Sequence, residues 1–379
     1  MREQGRGVGV TRRGAMSRLL AMGAGGAISM WGLASCRRAS PDGEVSLYSS
    51  VDEPLLREVM DVYAREHSGR VLLVGDTEAT KTTGLLQRLV AERENPRCDV
   101  WWSNEAFSTI GLAKQGMLEP LSIASELRSI GWPSELIGAG DQWVGFAQRA
   151  RVIVYNTARV ARDAAPTSLS ELLREEFRGR VGIARPQFGT TRGHMAALVA
   201  AHGGERTRAY LAALKGHGLR IYDGNSLIVR AVAQGEIDVG LTDTDDVFAG
   251  QRNGWPVEFT LERADDAAIG SEMIPSIGPL VIPNTVARIK NGPESRRGVG
   301  GSGVGGRGVS GADALVAFLL SEKHERLLAA SEARNIPVRP GLASEVETVS
   351  IARPMAVRLE DVESRIDEAL AIVAETLGV

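Results

Sequence analysis

The sequence predicts an α/β fold in which helices cover a mainly parallel sheet. Short β-branched runs bounded by turn residues recur at Val45 to Tyr48, Val71 to Val74, Asp99 to Trp102, Val152 to Tyr155, Val181 to Ala184, Val239 to Leu241 and Leu280 to Ile282. Stretches with the apolar spacing of amphipathic helices separate them. Beyond a leader of 35 residues, 344 of the 379 remain, enough for two lobes that each bury a core.

The leader carries Arg2, Arg6, Arg12, Arg13 and Arg18, then an uncharged stretch from Leu19 to Ser35, and closes on Leu33-Ala-Ser-Cys36. This is the layout of a bacterial lipoprotein export signal, too short and glycine-rich for a membrane span. It predicts a mature chain starting at Cys36 with a lipid there, which anchors without spanning and leaves the folded part outside the cytoplasmic membrane. An ordinary signal peptide with Cys36 near the cleavage site by chance is the plainer alternative. Thr11-Arg12-Arg13 is compatible with twin-arginine export but lacks a following phenylalanine.

The first strand leads into a helix whose Leu55, Leu56, Val59, Met60 and Tyr63 share one face, with Asp52 and Pro54 as start signals and Gly69 as the stop. A second βα unit runs from Val181 to Ala184 through a turn into a helix starting near Thr190 or Thr191. A third helix spans roughly Ser226 to Gln234, and Gly235 ends it before the strand at Ile237 to Leu241. Residues 298–311 are so glycine-rich that they form a surface excursion. Gly301, Gly303 and Gly306 match the dinucleotide fingerprint by accident, since no strand runs into them. From Ala312 the chain reads helical, and Val357 to Leu377 reads as one amphipathic helix packing on one lobe.

Net charge weighs against nucleic acid as a partner. The chain carries −3, and the leader's five arginines against one glutamate hold +4 of it, so the remainder carries about −7. With Cys36 given to the anchor, Cys98 is the only thiol left, which excludes an internal disulfide and a cysteine zinc cluster; its apolar surroundings predict a small buried residue.

Motifs for catalysis are missing: there is no Gly-x-Ser-x-Gly, no His-Glu-x-x-His and no Gly-x-x-x-x-Gly-Lys, and the five histidines are scattered. His194 reads as a capping or surface residue. Acidic and amide residues, in contrast, recur at strand ends, where open α/β sheets bind ligands. Asp52 and Glu53 follow the first strand, Asn104 and Glu105 the third, and Asp243, Asp245 and Asp246 follow Val239-Gly-Leu241. Such oxygen donors suit a hard cation or an amine, although Asp52, Asp243 and Asp245 serve equally well as helix caps. Thr190, Thr191 and Arg192 offer hydroxyls, helix-start amides and a guanidinium to an anion. Trp101 and Trp102 point to opposite faces of a strand, so at most one of them reaches a ligand.

The order of several segments resembles the periplasmic substrate-binding proteins of ABC importers, ferric-iron-binding type. They are Val45-Ser-Leu-Tyr-Ser-Ser50, Cys98-Asp-Val-Trp-Trp-Ser-Asn-Glu105 leading to Gln115-Gly-Met-Leu-Glu-Pro120, Val152-Ile-Val-Tyr-Asn-Thr157, Phe177-Arg-Gly-Arg-Val-Gly-Ile183, Gly224-Asn-Ser226, Gly235-Glu-Ile-Asp-Val-Gly-Leu241 and Phe318-Leu-Leu-Ser321. The resemblance runs from about Val45 to Pro340. It implies two α/β lobes joined by crossing hinge strands: 43–148, then 149–257, then a return over 258–340 that carries the glycine-rich insertion, with 341–379 as a C-terminal helical segment. It further implies a monomeric, non-enzymatic receptor that traps its ligand between the lobes and delivers it to a permease and ATPase. The ligand it implies is ferric iron or another hard cation, alone or with a synergistic anion, and the metal set would be Asp52, Glu105, Asp245 and Asp246. The anion site would span Pro186 to Arg192, with Asn225 and Ser226 nearby. One departure stands out. Relatives place two adjacent tyrosines where this chain has Asp245 and Asp246, and a glutamate where it has Asn104, so a divalent metal, a polyamine or a sensory role on the same fold stays open.

Overall fold

A computed structural model describes residues 44–76, 83–265, 273–297 and 310–379. The residues read as an export leader, Cys36 and most of the glycine-rich stretch lie outside the described residues.

In the first lobe, β1 (Glu44–Ser49), α1 (Glu53–Glu66), β2 (Arg70–Gly75), α2 (Thr83–Ala91), β3 (Val100–Ser103), α3 (Ala106–Lys114), β4 (Leu118–Glu119) and α4 (Ala124–Ser129) follow one another. The chain then enters the long strand β5 (Trp143–Asn156). The second lobe comprises β6 (Val181–Ala184), α5 (Gly189–His202), α6 (Gly204–Gly216), β7 (Arg220–Tyr222), α7 (Asn225–Ala233), β8 (Val239–Asp243), α8 (Thr244–Arg252) and β9 (Val257–Thr260). From there β10 (Val281–Ile289) leads back to the first lobe and to α9 (Pro293–Arg296), α10 (Gly311–Leu319) and α11 (Glu322–Ala330). The chain ends in α12 (Leu359–Ser364) and α13 (Ile366–Leu377).

One strand joins two sheets. Trp143 to Ala150 of β5 pair antiparallel with β10, which continues through β3 and β1 to β2; Arg151 to Tyr155 pair with β8, which continues through β6 to β7. The parallel neighbours β1, β2 and β3, and likewise β6, β7 and β8, follow from their βα units. Each sheet is covered on both faces, by two apolar clusters per lobe. Strands buried on both faces read as continuous apolar runs, which is why Val152 to Tyr155 and Val239 to Leu241 were recognisable.

The structure departs from the sequence reading in three places. β9 pairs with Ile153 to Asn156 of β5, so the sheet of the second lobe includes β9 and runs past 257. The segment read as one helix is two, broken between Ser364 and Ile366. Its parts also serve both lobes: α13 packs on α5 and α6, whereas α12 lies against α3 and α5, with Val362 fully buried and Glu363 paired to Lys114. Finally, β5 and β10 are far longer than the runs that announced them, because charged and polar residues interrupt the apolar pattern where the strands cross between lobes.

Trp101 and Trp102 do face opposite sides of β3, and both are fully buried. Trp101 donates to Thr109 and Trp102 to Asn284, so each indole N–H is satisfied inside the core. Cys98 is a buried free thiol, pushed up by burial.

Candidate functional site

β8 ends at Asp243 and passes directly into α8, whose first turn holds Asp245 and Asp246, where free amides favour negative charge. Asp243 occupies the cap position but does not cap. Its carboxylate turns instead to β5 and accepts from Arg151 Nη1 at 2.8 Å and Arg149 Nε at 3.3 Å. Thr190 Oγ1 at 2.6 Å and Asn225 Nδ2 at 3.0 Å complete its shell. All of these groups except Asn225 are buried, so the network holds two guanidinium groups away from water by pairing them. Burial raises the carboxyl of Asp243, but the two arginines outweigh it and hold the group below its ordinary range.

Oxygens of Asp243, Asp245 and Asp246 lie within 4.8 Å of one another, the one such group of metal-ligating side chains among the described residues. Asp243 is committed to the arginines. Asp245, 24 % exposed and 3.6 Å from Arg149, and the half-buried Asp246, which accepts from Thr242, present the accessible oxygens. Hard carboxylate oxygens at this spacing suit a hard cation, and no soft ligand stands beside them.

The first lobe contributes differently. Asp52 stands exposed before α1 and does not cap its amides, and Glu53 is exposed and paired with Arg57. Asn104 accepts from Ser50 Oγ at 3.0 Å and is half-buried at the end of β3. Glu105 is fully buried, caps α3 through the amides of Phe107 and Ser108, and lies 3.6 Å from Arg192 of the second lobe. Neither Asp52 nor Glu105 belongs to the cluster formed around Asp243.

The groups expected to hold an anion are likewise engaged. Thr190 donates to Asp243, and Thr191 approaches Asn225 Oδ1 at 3.5 Å. Arg192 donates to Ser108 at 2.9 Å, while Ser226 is exposed at the start of α7. His194 departs from its reading as a cap or surface residue: it is buried in α5, and burial pushes it down to about 3, so it stays neutral.

Arg149 and Arg151 are the residues that sequence reasoning passed over. Two arginines at i and i+2 directly before Val152-Ile-Val-Tyr155 share one face of a strand whose surroundings are apolar. That pairing was the available signal, because a buried arginine requires a buried acid.

Residues 111–249 match the family described as bacterial extracellular solute-binding protein. The chain is 28 % identical over 207 residues to the Fe(3+)-binding periplasmic protein of Serratia marcescens, a match that covers 54 % of this chain and 57 % of that protein. It is 25 % identical over 314 residues to the major ferric iron-binding protein of Neisseria meningitidis, covering 82 % of this chain and 85 % of the relative. Among solved structures, iron-bound HitA from Pseudomonas aeruginosa superposes with a TM-score of 0.70 at 21 % identity, over 88 % of this chain and 99 % of that one. At that identity the structure speaks for a shared fold.

Proposed function

We propose that this chain is a bacterial extracellular solute-binding protein that captures ferric iron between its lobes and delivers it to an ABC permease and its ATPase. The observation that carries this reading is the cluster of Asp243, Asp245 and Asp246 at the carboxyl end of β8, beside the strand that joins the lobes. The relatives named for ferric iron support the choice of metal.

Asp245 and Asp246 are the ligands from the second lobe, with Asp52 and Asn104 closing on the metal from the first. Glu105, Thr190, Thr191, Arg192 and Asn225 support the site from behind. In place of the tyrosine pair that the resemblance implied, carboxylates supply the hard oxygens. Asp243 brings a negative charge into contact with Thr190, Asn225 and both arginines, the groups an added anion would use. The chain acts as a binding protein rather than an enzyme, as its match to the extracellular solute-binding family suggests. A lipid on Cys36 tethers it, as a monomer, outside the cytoplasmic membrane.

Titration with ferric nitrilotriacetate, followed by tryptophan fluorescence and thermal unfolding, tests this. A ligand present at 100 times its Kd stabilises the native state by about 2.7 kcal/mol. A thermal shift that disappears in an Asp245→Ala, Asp246→Ala double variant supports the proposal. No shift in the parent protein rejects iron as the cargo, and an undiminished shift in the variant removes both aspartates from the site.

A further inference from the structure

Ala147 lies in β5, three residues before the strand exchanges β10 for β8 as its partner, and its backbone is out of place for an alanine. It is buried at 1 % exposure with φ of +41°, in the left-handed region that a side chain disfavours. Pairing with β10 skips it: Phe146 faces Asn284 and Gln148 faces Pro283, so Ala147 is the extra residue of a bulge.

Both of its backbone groups are held by buried side chains from other elements. Its N–H donates to Glu325 Oε1 of α11 at 3.2 Å, and its carbonyl accepts from Asn284 Nδ2 of β10 at 2.6 Å. These holders are themselves fixed. Glu325 also accepts from the amides of Val338 and Arg339, and the indole of Trp102 donates to Asn284. Next along the strand, Gln148 exchanges backbone hydrogen bonds with Ile336, which ties the kink to the first lobe.

We propose that Ala147 is a strained latch: Glu325 and Asn284 hold it in the left-handed conformation, and this kink sets the angle at which β5 enters the second lobe and so the resting orientation of the lobes. Without the two holders an alanine relaxes to negative φ, and β5 leaves the first lobe in another direction.

The test reads orientation directly, without ligand, so its result is independent of the cargo. Spin labels at the exposed positions Asp61 and Glu236, one in each lobe, report the interlobe distance in the otherwise intact protein. Glu325→Leu removes the acceptor of the Ala147 amide and is expected to displace or broaden the distance distribution; Asn284→Ser withdraws the donor from the carbonyl side and stands in if the first variant does not fold. Adding Ala147→Gly restores the parent distribution, because glycine keeps positive φ without being held. Asn291→Gly, at an exposed turn with φ of +55°, leaves it unchanged. An unchanged distribution in folded Glu325→Leu or Asn284→Ser, or a failure of Ala147→Gly to restore it, overturns the proposal.

Discussion

Arg151 Nη1 stands 2.8 Å from Asp243 Oδ1, with both side chains only 2 % exposed. The pair links β5, which crosses between the lobes, to the end of β8, where the acidic cluster begins. Removing Asp243 leaves the buried Arg151 without its carboxylate, whereas removing Arg151 leaves Asp243 paired with Arg149 alone. Asp243→Ala is therefore expected to destabilise the protein by about 3–5 kcal/mol in urea unfolding, and replacing Asp243 and Arg151 together by apolar residues to cost less than Asp243→Ala alone. Equal losses in the two variants would show that the pair is not coupled.

Acid weakens the fold in two separable windows. Burial pushes His202 and His324 down to about 4 and His194 to about 3, so the unfolded chain takes up protons near pH 6.5 while the folded one does not. Stability therefore falls as pH drops from 6.5 toward 4, at up to about 1.4 kcal/mol per unit for each such histidine. Asp243, held low by its arginines against the upward effect of burial, adds stability that is present above the ordinary aspartate range and is lost only below it. Calorimetry from pH 7 to 4 should show the first decline, and His324→Phe should flatten it.

Glu105 separates support from ligation. It caps α3, approaches Arg192 and is fully buried, so Glu105→Ala should cost about 3 kcal/mol, through the lost cap and the buried Arg192 left without its carboxylate. Titrated below its melting point, that variant is expected to bind ferric nitrilotriacetate as the parent does. Lost binding in a fully folded variant would return Glu105 to the metal.

Gly193 in α5 leaves room for Phe107 of α3: a Cβ there would stand 2.0 Å from the ring. Gly193→Ala is expected to destabilise by about 1–3 kcal/mol, and Phe107→Leu in the same chain to recover part of that. No loss in Gly193→Ala would mean that α3 and α5 adjust freely at this contact.

The contact between Phe107 and Gly193 also shows where sequence reasoning stopped. Local periodicity revealed the βα units, the helix faces of α1 and α7 and the acidic residues at the ends of β1, β3 and β8, since each depends on neighbours a few positions away. Which strand ends converge depends instead on β5 and β10, whose register and bulge are properties of the paired sheets.

By itself the sequence determined the α/β class, the burial of Cys98, the opposite facing of Trp101 and Trp102, and the oxygen-rich chemistry at the strand ends, because composition and short-range pattern decide which groups seek water. Only the tertiary structure decided that Asp243 is spent on Arg149 and Arg151, that Glu105 serves α3, and that Asp245 and Asp246 remain half-exposed. A carboxylate's task is set by the charges that folding places within about 4 Å of it, and such partners come from residues far apart along the chain.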